Sequence, residues 1–224
     1  MFKRYAIFYT PEGRLAEWGA RWLGWDSAAG TAVQTPVFAG LDVDAVTATP
    51  RAYGFHGTLK APFVLATDTG DGVLEETAAQ FARQHAPLDA GPFGLVYEHG
   101  FIALRPLQNP PALREFAGHT VRAFDHLRAP LSEAYIARRR KARLSPRQDQ
   151  QMMVWGYPYI FEDFHFHLTL SGRATEEVAA QVIGALVPDI TALLPAPVMI
   201  DAVTLMGEDA EGMFHQIHRY ALTG

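Results

Sequence analysis

The sequence predicts an α+β fold in which one structural unit occurs twice along the chain. Strand-like and helix-like segments follow in the order strand, helix, strand, helix, hairpin, helices, strand, helix, hairpin. Of the 224 residues, 49% are hydrophobic, which is enough to bury a substantial core, and no low-complexity linker separates the halves. We therefore expect one domain over residues 1–224, with approximate halves 1–105 and 106–224 between which strands can be exchanged.

The first half carries strand signals that alternate with helix signals. Aromatic and β-branched residues favour strands, and apolar residues repeating every three to four positions favour helices. Pro62 is expected to bend its strand or place it at a sheet edge, and the mixed composition of residues 26–50 gives no assignment. The predicted elements are strand 3–9, helix 14–23, strand 53–65, helix 73–85 and a hairpin of strands 93–97 and 101–105.

The second half repeats this order with additional helices. Ser145, Pro146 and Gln148 supply an N-cap, a proline at the first helical position and a capping-box glutamine, so a helix is expected to begin there. The predicted elements are helices 111–127 and 132–143, the helix that begins after Ser145, strand 164–171, helix 175–186 and strands 198–206 and 213–222.

Composition excludes several classes of chemistry. The chain has no cysteine, which removes disulfides, thiolate zinc sites and thiol nucleophiles. The N-terminus carries no apolar leader and no segment has the length of a membrane span, so we expect a cytoplasmic protein without membrane contact. The net charge is −5, yet six of the 19 lysines and arginines fall within residues 138–147. Positive charge is therefore concentrated in one segment.

A repeated motif lies inside two of the predicted strands. Residues 55–59 read Phe-His-Gly-Thr-Leu and residues 166–170 read Phe-His-Leu-Thr-Leu. Because side chains alternate along a strand, His56 and Thr58 share one face, as do His167 and Thr169, while Phe and Leu point to the other. Two such strands brought face to face would converge two imidazoles and two hydroxyls on one cleft.

This set of groups suits acid-base chemistry on a phosphoester. An imidazole titrates at about 6.5, so near neutral pH one histidine can act as base while the other is a protonated acid. Threonine hydroxyls can donate hydrogen bonds to phosphoryl oxygens. A single His-x-Thr is ordinary for a half-buried strand, and two copies in one chain favour a catalytic role for His56 and His167.

The motifs and their surroundings resemble the two-histidine phosphoesterase superfamily. The likeness rests on residues 51–63, 155–158 and 166–172, and these resemble the branch associated with phosphonate-utilisation operons. The resemblance implies two pseudo-symmetric lobes, each an antiparallel sheet with helices packed outside, that enclose a central cleft. It also implies catalysis by His56 and His167, phosphoryl binding by Thr58 and Thr169, and no metal or other cofactor.

By this resemblance the substrate is a small cyclic phosphate or related phosphodiester, linked to a nucleotide or ribose. In several branches of the superfamily the substrate is an RNA end, so RNA termini are a further candidate partner. No obligate protein partner is inferred.

Nearby cations are candidates for binding the substrate phosphate. Lys60 lies two positions after Thr58, on the motif face if the strand is regular. Arg143 and Arg147, four positions apart beside a capped helix start, are the choices from the basic segment, because arginine offers a planar fork of donors. The alternative is that this charge run is a solvated helix face.

Three further side chains are candidates for substrate contact. Tyr53 reaches the motif face only if Gly54 breaks the strand alternation, and Tyr157 is a possible stacking group with core packing as its alternative. His165 shares a face with His167, which opens a second hypothesis of a histidine-carboxylate metal site. A third hypothesis is a module that binds a nucleotide or an RNA end without turnover.

Overall fold

The computed structural model describes residues 2–67, 69–108 and 110–224 and confirms the α+β class. Its centre is a seven-stranded sheet whose neighbouring strands are all antiparallel. The strands are β1 (Arg4–Tyr9), β2 (Trp25–Asp26), β3 (Thr31–Ala32), β4 (Gly57–Phe63), β5 (Leu88–Asp89), β6 (Phe93–Glu98), β7 (Phe101–Pro106), β8 (Leu168–Thr169), β9 (Met199–Ile200), β10 (Ala202–Glu208) and β11 (Phe214–Ala221). The helices are α1 (Gly13–Leu23), α2 (Val43–Arg51), α3 (Asp71–Arg83), α4 (Pro111–Phe124), α5 (Glu133–Arg140), α6 (Pro146–Trp155) and α7 (Glu176–Leu193), with short 3₁₀ helices at Asp125–Leu127 and Phe161–Asp163.

The large sheet consists of two parts that meet at one short contact. Its order is β11-β10-β1-β4-β8-β7-β6, so the last two strands of the chain lie beside the first. The hairpin of β6 and β7 comes from the first half of the chain but pairs with β8 of the second half. The parts join where Gly57 of β4 pairs with Leu168 of β8. Each part of the sheet therefore contains strands from both halves of the chain.

The two faces of the sheet have different surroundings. Helices α1, α3, α4 and α7 cover one face and form the main apolar core with it. Ile7 of β1 faces this core, while Ala6 and Phe8 belong to a small separate cluster on the opposite face. Thr58 pairs with Phe8 and so shares that second face. Residues within 128–165 line cavities over it, and this is the face that carries the motif side chains.

Local capping explains where several predicted elements begin and end. The hydroxyl of Ser145 accepts from the Gln148 backbone and the Gln148 side chain accepts from the Ser145 backbone, which forms the predicted capping box of α6. Helix α1 ends at Gly24, whose φ of 80° is the left-handed conformation that glycine adopts without strain. The hairpin of β6 and β7 also lies where the sequence predicts it.

The strand predicted over residues 53–65 is too long at its start. Strand β4 begins only at Gly57, because α2 continues to Arg51 and the chain then turns through Gly54 with a φ of 72°. Helix α2 lies in the stretch for which the sequence gives no assignment. Its cap is Asp42, whose carboxylate accepts the backbone N–H three residues later.

Other predicted bounds also differ from the structure. The strand predicted over 164–171 comprises only Leu168–Thr169 in the structure. A 3₁₀ helix precedes it, and the chain joins the sheet only at Leu168. Helix α7 continues to Leu193 through Pro188, and α5 ends at Arg140. Among the described residues, no helix combines the length and the apolarity needed to cross a membrane.

Candidate functional site

The two motif copies lie side by side at the contact between the two parts of the sheet. Gly57 pairs with Leu168 in antiparallel register, and extending that register by one residue sets His56 across from Thr169 and Thr58 across from His167. All four side chains lie on one face. The histidines occupy diagonal positions, for which backbone separations are roughly 7–8 Å. At such a separation two side chains on one face can contact the same small ligand.

The apolar residues of both motifs anchor this contact from the other face. Phe55, Leu59, Phe166 and Leu168 are all buried in the main core, as the alternation predicts. Gly57 is the residue that permits the close approach, because a Cβ atom there would lie 2.2 Å from Cζ of Phe166. The glycine of the first motif therefore has a packing role that the repeat alone does not reveal.

Both motif histidines are held by the same backbone contact. Nδ1 of His56 lies 2.9 Å from the carbonyl oxygen of Gly54, and Nδ1 of His167 lies 2.7 Å from that of His165. A carbonyl oxygen only accepts, so each Nδ1 carries the hydrogen and each neutral ring presents an unprotonated Nε2. Nε2 of His56 lies 3.0 Å from the Thr58 hydroxyl, which donates to it. The contact thus orients both rings and leaves Nε2 as the reactive atom.

The surroundings of the two rings differ. His56 stacks on Phe8 with ring centres 3.7 Å apart, and Tyr53 lies on its other side at 5.9 Å. Burial lowers the pKa of His56 to about 4, and the charge of His167 acts in the same direction. Burial also lowers the pKa of His167, and the Arg105 guanidinium contributes to this shift. A positive charge on one ring disfavours a positive charge on the other. The pair therefore favours states in which at most one of the two imidazoles is a cation.

A cavity of about 650 Å³ opens beside the motifs, and we call it the motif cavity. Thr58, His165 and His167 line it, and His56 adjoins it through its bond to Thr58. Aromatic and apolar residues form much of the remaining wall, which is usual for sites that hold a small ligand. The other lining residues include Phe101, Tyr157, Tyr159, Ile160, Phe164 and Arg105.

The three side chains expected to contact substrate lie near the motifs. The positive φ of Gly54 breaks the alternation, and the Tyr53 ring lies between those of His56 and Phe214, 5.1 Å from the latter. Tyr157 and His165 line the motif cavity. Burial raises the pKa of Tyr157 to about 12, so its hydroxyl remains a hydrogen-bond donor at neutral pH.

The prediction that Lys60 faces the motif cavity is wrong. Consecutive residues of β1 pair with Thr58 and Lys60, so β4 contains an extra residue between them and the alternation is lost. Lys60 is only 3% exposed, and its Nζ donates to the carbonyl oxygen of Val121 and to Asp125, both at 3.2 Å. Burial lowers its pKa to about 8.

The structure does not bring Arg143 or Arg147 to the motif cavity either. Arg147 donates two hydrogen bonds to the Asp163 carboxylate, at 2.8 and 2.9 Å, and Arg143 is exposed and lines neither of the two cavities on this face. The arginines that do line the motif cavity are Arg105 and Arg173. They are separated by tens of residues in the sequence, whereas the arginines predicted from the sequence, Arg143 and Arg147, belong to one local cluster of cations.

The alternation of side chains along β7 places Arg105 on the face of the motif side chains and could have predicted its position. Ala103 pairs with Thr169, and Arg105 lies two residues further along β7 on the same face. That pairing cannot be read from the sequence, which does not specify which strands become neighbours. No comparable signal exists for Arg173, which follows the second motif on a bend.

The metal hypothesis requires a third ligand near the paired histidines. Within residues 2–67, 69–108 and 110–224, no three His, Asp or Glu side chains are arranged to share one ion. Asp163, a carboxylate two residues before His165, is bound by Arg147 and Gln148. The described residues therefore supply no ligand set for that hypothesis.

A family described as "Protein of unknown function (DUF1045)" matches residues 58–215 of the chain. The match starts within the first motif and includes all of the second. A protein named Ribose 1,5-bisphosphate phosphokinase PhnN from Janthinobacterium sp. (strain Marseille) is 36% identical over 227 residues, covering 93% of this chain and 48% of that protein. A protein of the same name from Laribacter hongkongensis (strain HLHK9) is 34% identical over 180 residues, covering 77% of this chain and 41% of that protein. The chain thus spans about half the length of these relatives or less.

Solved structures similar to the chain include E. coli LigT complexed with 3′-AMP and a structure described as a phosphoesterase. The first has a TM-score of 0.47 at 18% identity and the second a TM-score of 0.46 at 17% identity, each covering 100% of both chains. Likenesses at such TM-scores do not establish a shared fold or activity.

Proposed function

The chain belongs to the DUF1045 family, and from the geometry of its paired motifs we propose that it is a metal-independent phosphoesterase with His56 as general base and His167 as general acid. One observation carries the proposal. Around the pair of Gly57 and Leu168, both rings present Nε2 on the same face and both hold Nδ1 against a backbone carbonyl. Two oriented imidazoles in neighbouring strands on one face of a sheet suit hydrolysis of a phosphodiester.

In the proposed reaction Nε2 of His56 takes a proton from water as the water oxygen attacks phosphorus. The bond from phosphorus to one ester oxygen breaks, and the protonated Nε2 of His167 donates its proton to that oxygen. A cyclic phosphate becomes a phosphomonoester with one free hydroxyl, and one water is consumed. The histidines then exchange a proton through solvent and return to their starting states.

Different surroundings support this assignment of base and acid. The apolar stack around His56 keeps its pKa low, near 4, so it stays neutral and ready to accept a proton. His167 also has a lowered pKa in the free protein, but a bound phosphate anion would raise it.

Hydroxyls and arginines would hold the phosphate during the reaction. Thr58 and Thr169 lie across from the two histidines and can donate to non-bridging oxygens, with substrate displacing the contact between Thr58 and His56. Arg173 lines the cavity and has no carboxylate partner among the described residues. We assign it the phosphate contact that Arg143 and Arg147 were expected to make.

A cyclic phosphate carried on ribose is the substrate class we propose. Two relatives bear the name of a kinase for ribose 1,5-bisphosphate, and the chain aligns with only about half of each or less. This sequence contains no Gly-x₄-Gly-Lys-Ser/Thr loop, the common ATP-phosphate cradle. We therefore attribute the kinase name to the other part of those proteins and place this chain beside it, in phosphonate-linked ribose phosphate metabolism.

The test is a screen of cyclic nucleotides, cyclic ribose phosphates and RNA termini in the presence of a chelator. His56→Ala and His167→Ala should each lower turnover by about 10²- to 10⁴-fold, as expected for loss of a general acid or base. His126→Ala is the matched control, since His126 is exposed and lines neither cavity. Near-normal rates in either motif variant would refute the mechanism.

Two outcomes would favour other functions. Activity that disappears with chelator and returns with one divalent metal would support a metal-dependent hydrolase. Tight binding of a nucleotide that survives loss of both His56 and His167, without turnover of any substrate in the screen, would support a binding module.

A further inference from the structure

A second cavity of about 620 Å³ lies next to the motif cavity. Ala61, Tyr157 and Ile160 line both, so the two cavities adjoin at these residues. The reaction described above uses the motif cavity alone. We call the second one the basic cavity because of the charges in its wall.

Four basic side chains line the basic cavity and, within the described chain, no Asp or Glu lines it; the four are Arg4, Lys60, Arg128 and Arg138. Arg4 is paired with Glu208, which does not itself line the basic cavity. Lys60 and Arg128 share a single carboxylate, Asp125. Two carboxylates therefore face three of the four cations.

Arg138 supplies the fourth charge. It has no carboxylate partner among the described residues, and its guanidinium lies 5.4 Å from the ring centre of Tyr135, which also lines the basic cavity. With four cations against two carboxylates, the wall has two positive charges in excess, in a chain whose net charge is −5. An excess of this sign in a concave site attracts anions.

The spacing of the cavities indicates how far apart their ligands would lie. Thr58 lines the motif cavity and Ala61, three residues further along β4, lines both. At a strand rise of about 3.3 Å per residue, the basic cavity begins on the order of 10 Å from the reacting phosphate. A sugar phosphate spans this distance.

We propose that the basic cavity binds a second phosphate group on the same small molecule whose cyclic phosphate reacts in the motif cavity. The inference rests on the proposed function and narrows its substrate class to sugar phosphates that carry a terminal phosphomonoester. Arg138 is the principal contact, because its fork of donors suits a phosphate and no carboxylate competes for it. Aromatic residues of the wall, including Tyr135 and Trp155, pack against the carbon skeleton.

Two matched substrates test the inference, adenosine 2′,3′-cyclic phosphate with and without a 5′-phosphate. The unaltered protein should prefer the 5′-phosphorylated form by about tenfold or more in kcat/KM, the size expected for a charge-assisted contact. Arg138→Gln should abolish that preference, chiefly by raising KM for the phosphorylated form. Arg143→Gln, an exposed arginine outside both cavities, should keep it.

Calorimetry with ribose 5-phosphate separates this inference from the proposed function, since it needs no turnover. Binding that Arg138→Gln weakens and Arg143→Gln does not would support the basic cavity even if the screen finds no activity. Turnover with equal preference for both substrates, together with unchanged binding in Arg138→Gln, would overturn the inference and leave the proposed function standing.

Discussion

Gly57→Ala should damage the site by separating the two strands that carry the motifs. The new Cβ would lie 2.2 Å from Cζ and 2.6 Å from Cε2 of Phe166, whereas carbon atoms in contact are about 3.5–4.0 Å apart. The Phe166 ring cannot simply swing away, because it is 2% exposed and lies near the rings of Tyr9 and Phe93. Overpacking of this kind typically costs about 1–3 kcal/mol.

The same displacement should change the positions of the two motif histidines relative to each other. Gly57 and Leu168 form the pair through which β4 and β8 are joined, so widening it moves His56 relative to His167. A shift of about 1 Å between reacting groups can cost about 10²-fold in rate. We therefore expect turnover to fall by about that factor, even under conditions in which the variant is fully folded.

Urea unfolding and steady-state rates on a substrate from the screen would measure both effects. Gly184→Ala is the control, since this exposed position within α7 has no atom within 4 Å of the new Cβ. It should gain about 0.5–1 kcal/mol from helix propensity and keep its rate. Adding Phe166→Leu to Gly57→Ala should restore part of the rate. Wild-type stability and turnover in Gly57→Ala would refute the reasoning.

Three other expectations follow from ion pairs and protonation. Asp125→Ala should cost about 3 kcal/mol in urea unfolding, because it leaves the buried Lys60 without its oppositely charged partner, whereas Lys60→Met should cost less. The folded-state pKa of His56, about 4, lies below its ordinary 6.5, so the free energy of unfolding should be fully present above pH 6.5 and fall by up to about 3 kcal/mol towards pH 4. His56→Gln should reduce that slope in urea titrations at pH 7 and 4.5. Arg147→Ala breaks an exposed pair with Asp163 and should cost less than about 1 kcal/mol without changing turnover, and a large loss of rate would restore its predicted phosphate role.

Local alternation made the motif faces predictable from sequence. His56 and Thr58 share a face because strand side chains alternate, and the burial of Phe55 and Leu59 follows from the same rule. The capping box at Ser145 is equally local. Features that depend on a few neighbouring residues could therefore be read directly.

Features that depend on which strands become neighbours could not be predicted from the sequence. The extra residue in β4 that turns Lys60 into the core arises from pairing with β1, and the sequence carries no mark of it. Arg105 reaches the motif cavity only because β7 pairs with β8. The concentration of positive charge predicted Arg147 as a phosphate ligand, but its guanidinium is bound to the carboxylate of Asp163, 16 positions away. Non-local contacts thus decide which cations line the motif cavity.

The near-symmetry of the two motifs orients both histidines in the same way, but it does not determine which of them acts as base. Equivalent contacts of Nδ1 with a carbonyl give His56 and His167 the same tautomer and orientation. Two identical bases would not by themselves move a proton in one direction. In the proposed reaction the direction would come from unequal surroundings, with Phe8 stacked on the His56 ring and the His167 ring beside Phe101 and near Arg105. We therefore expect that exchanging these neighbours, and not the motif residues, would alter which histidine acts as base.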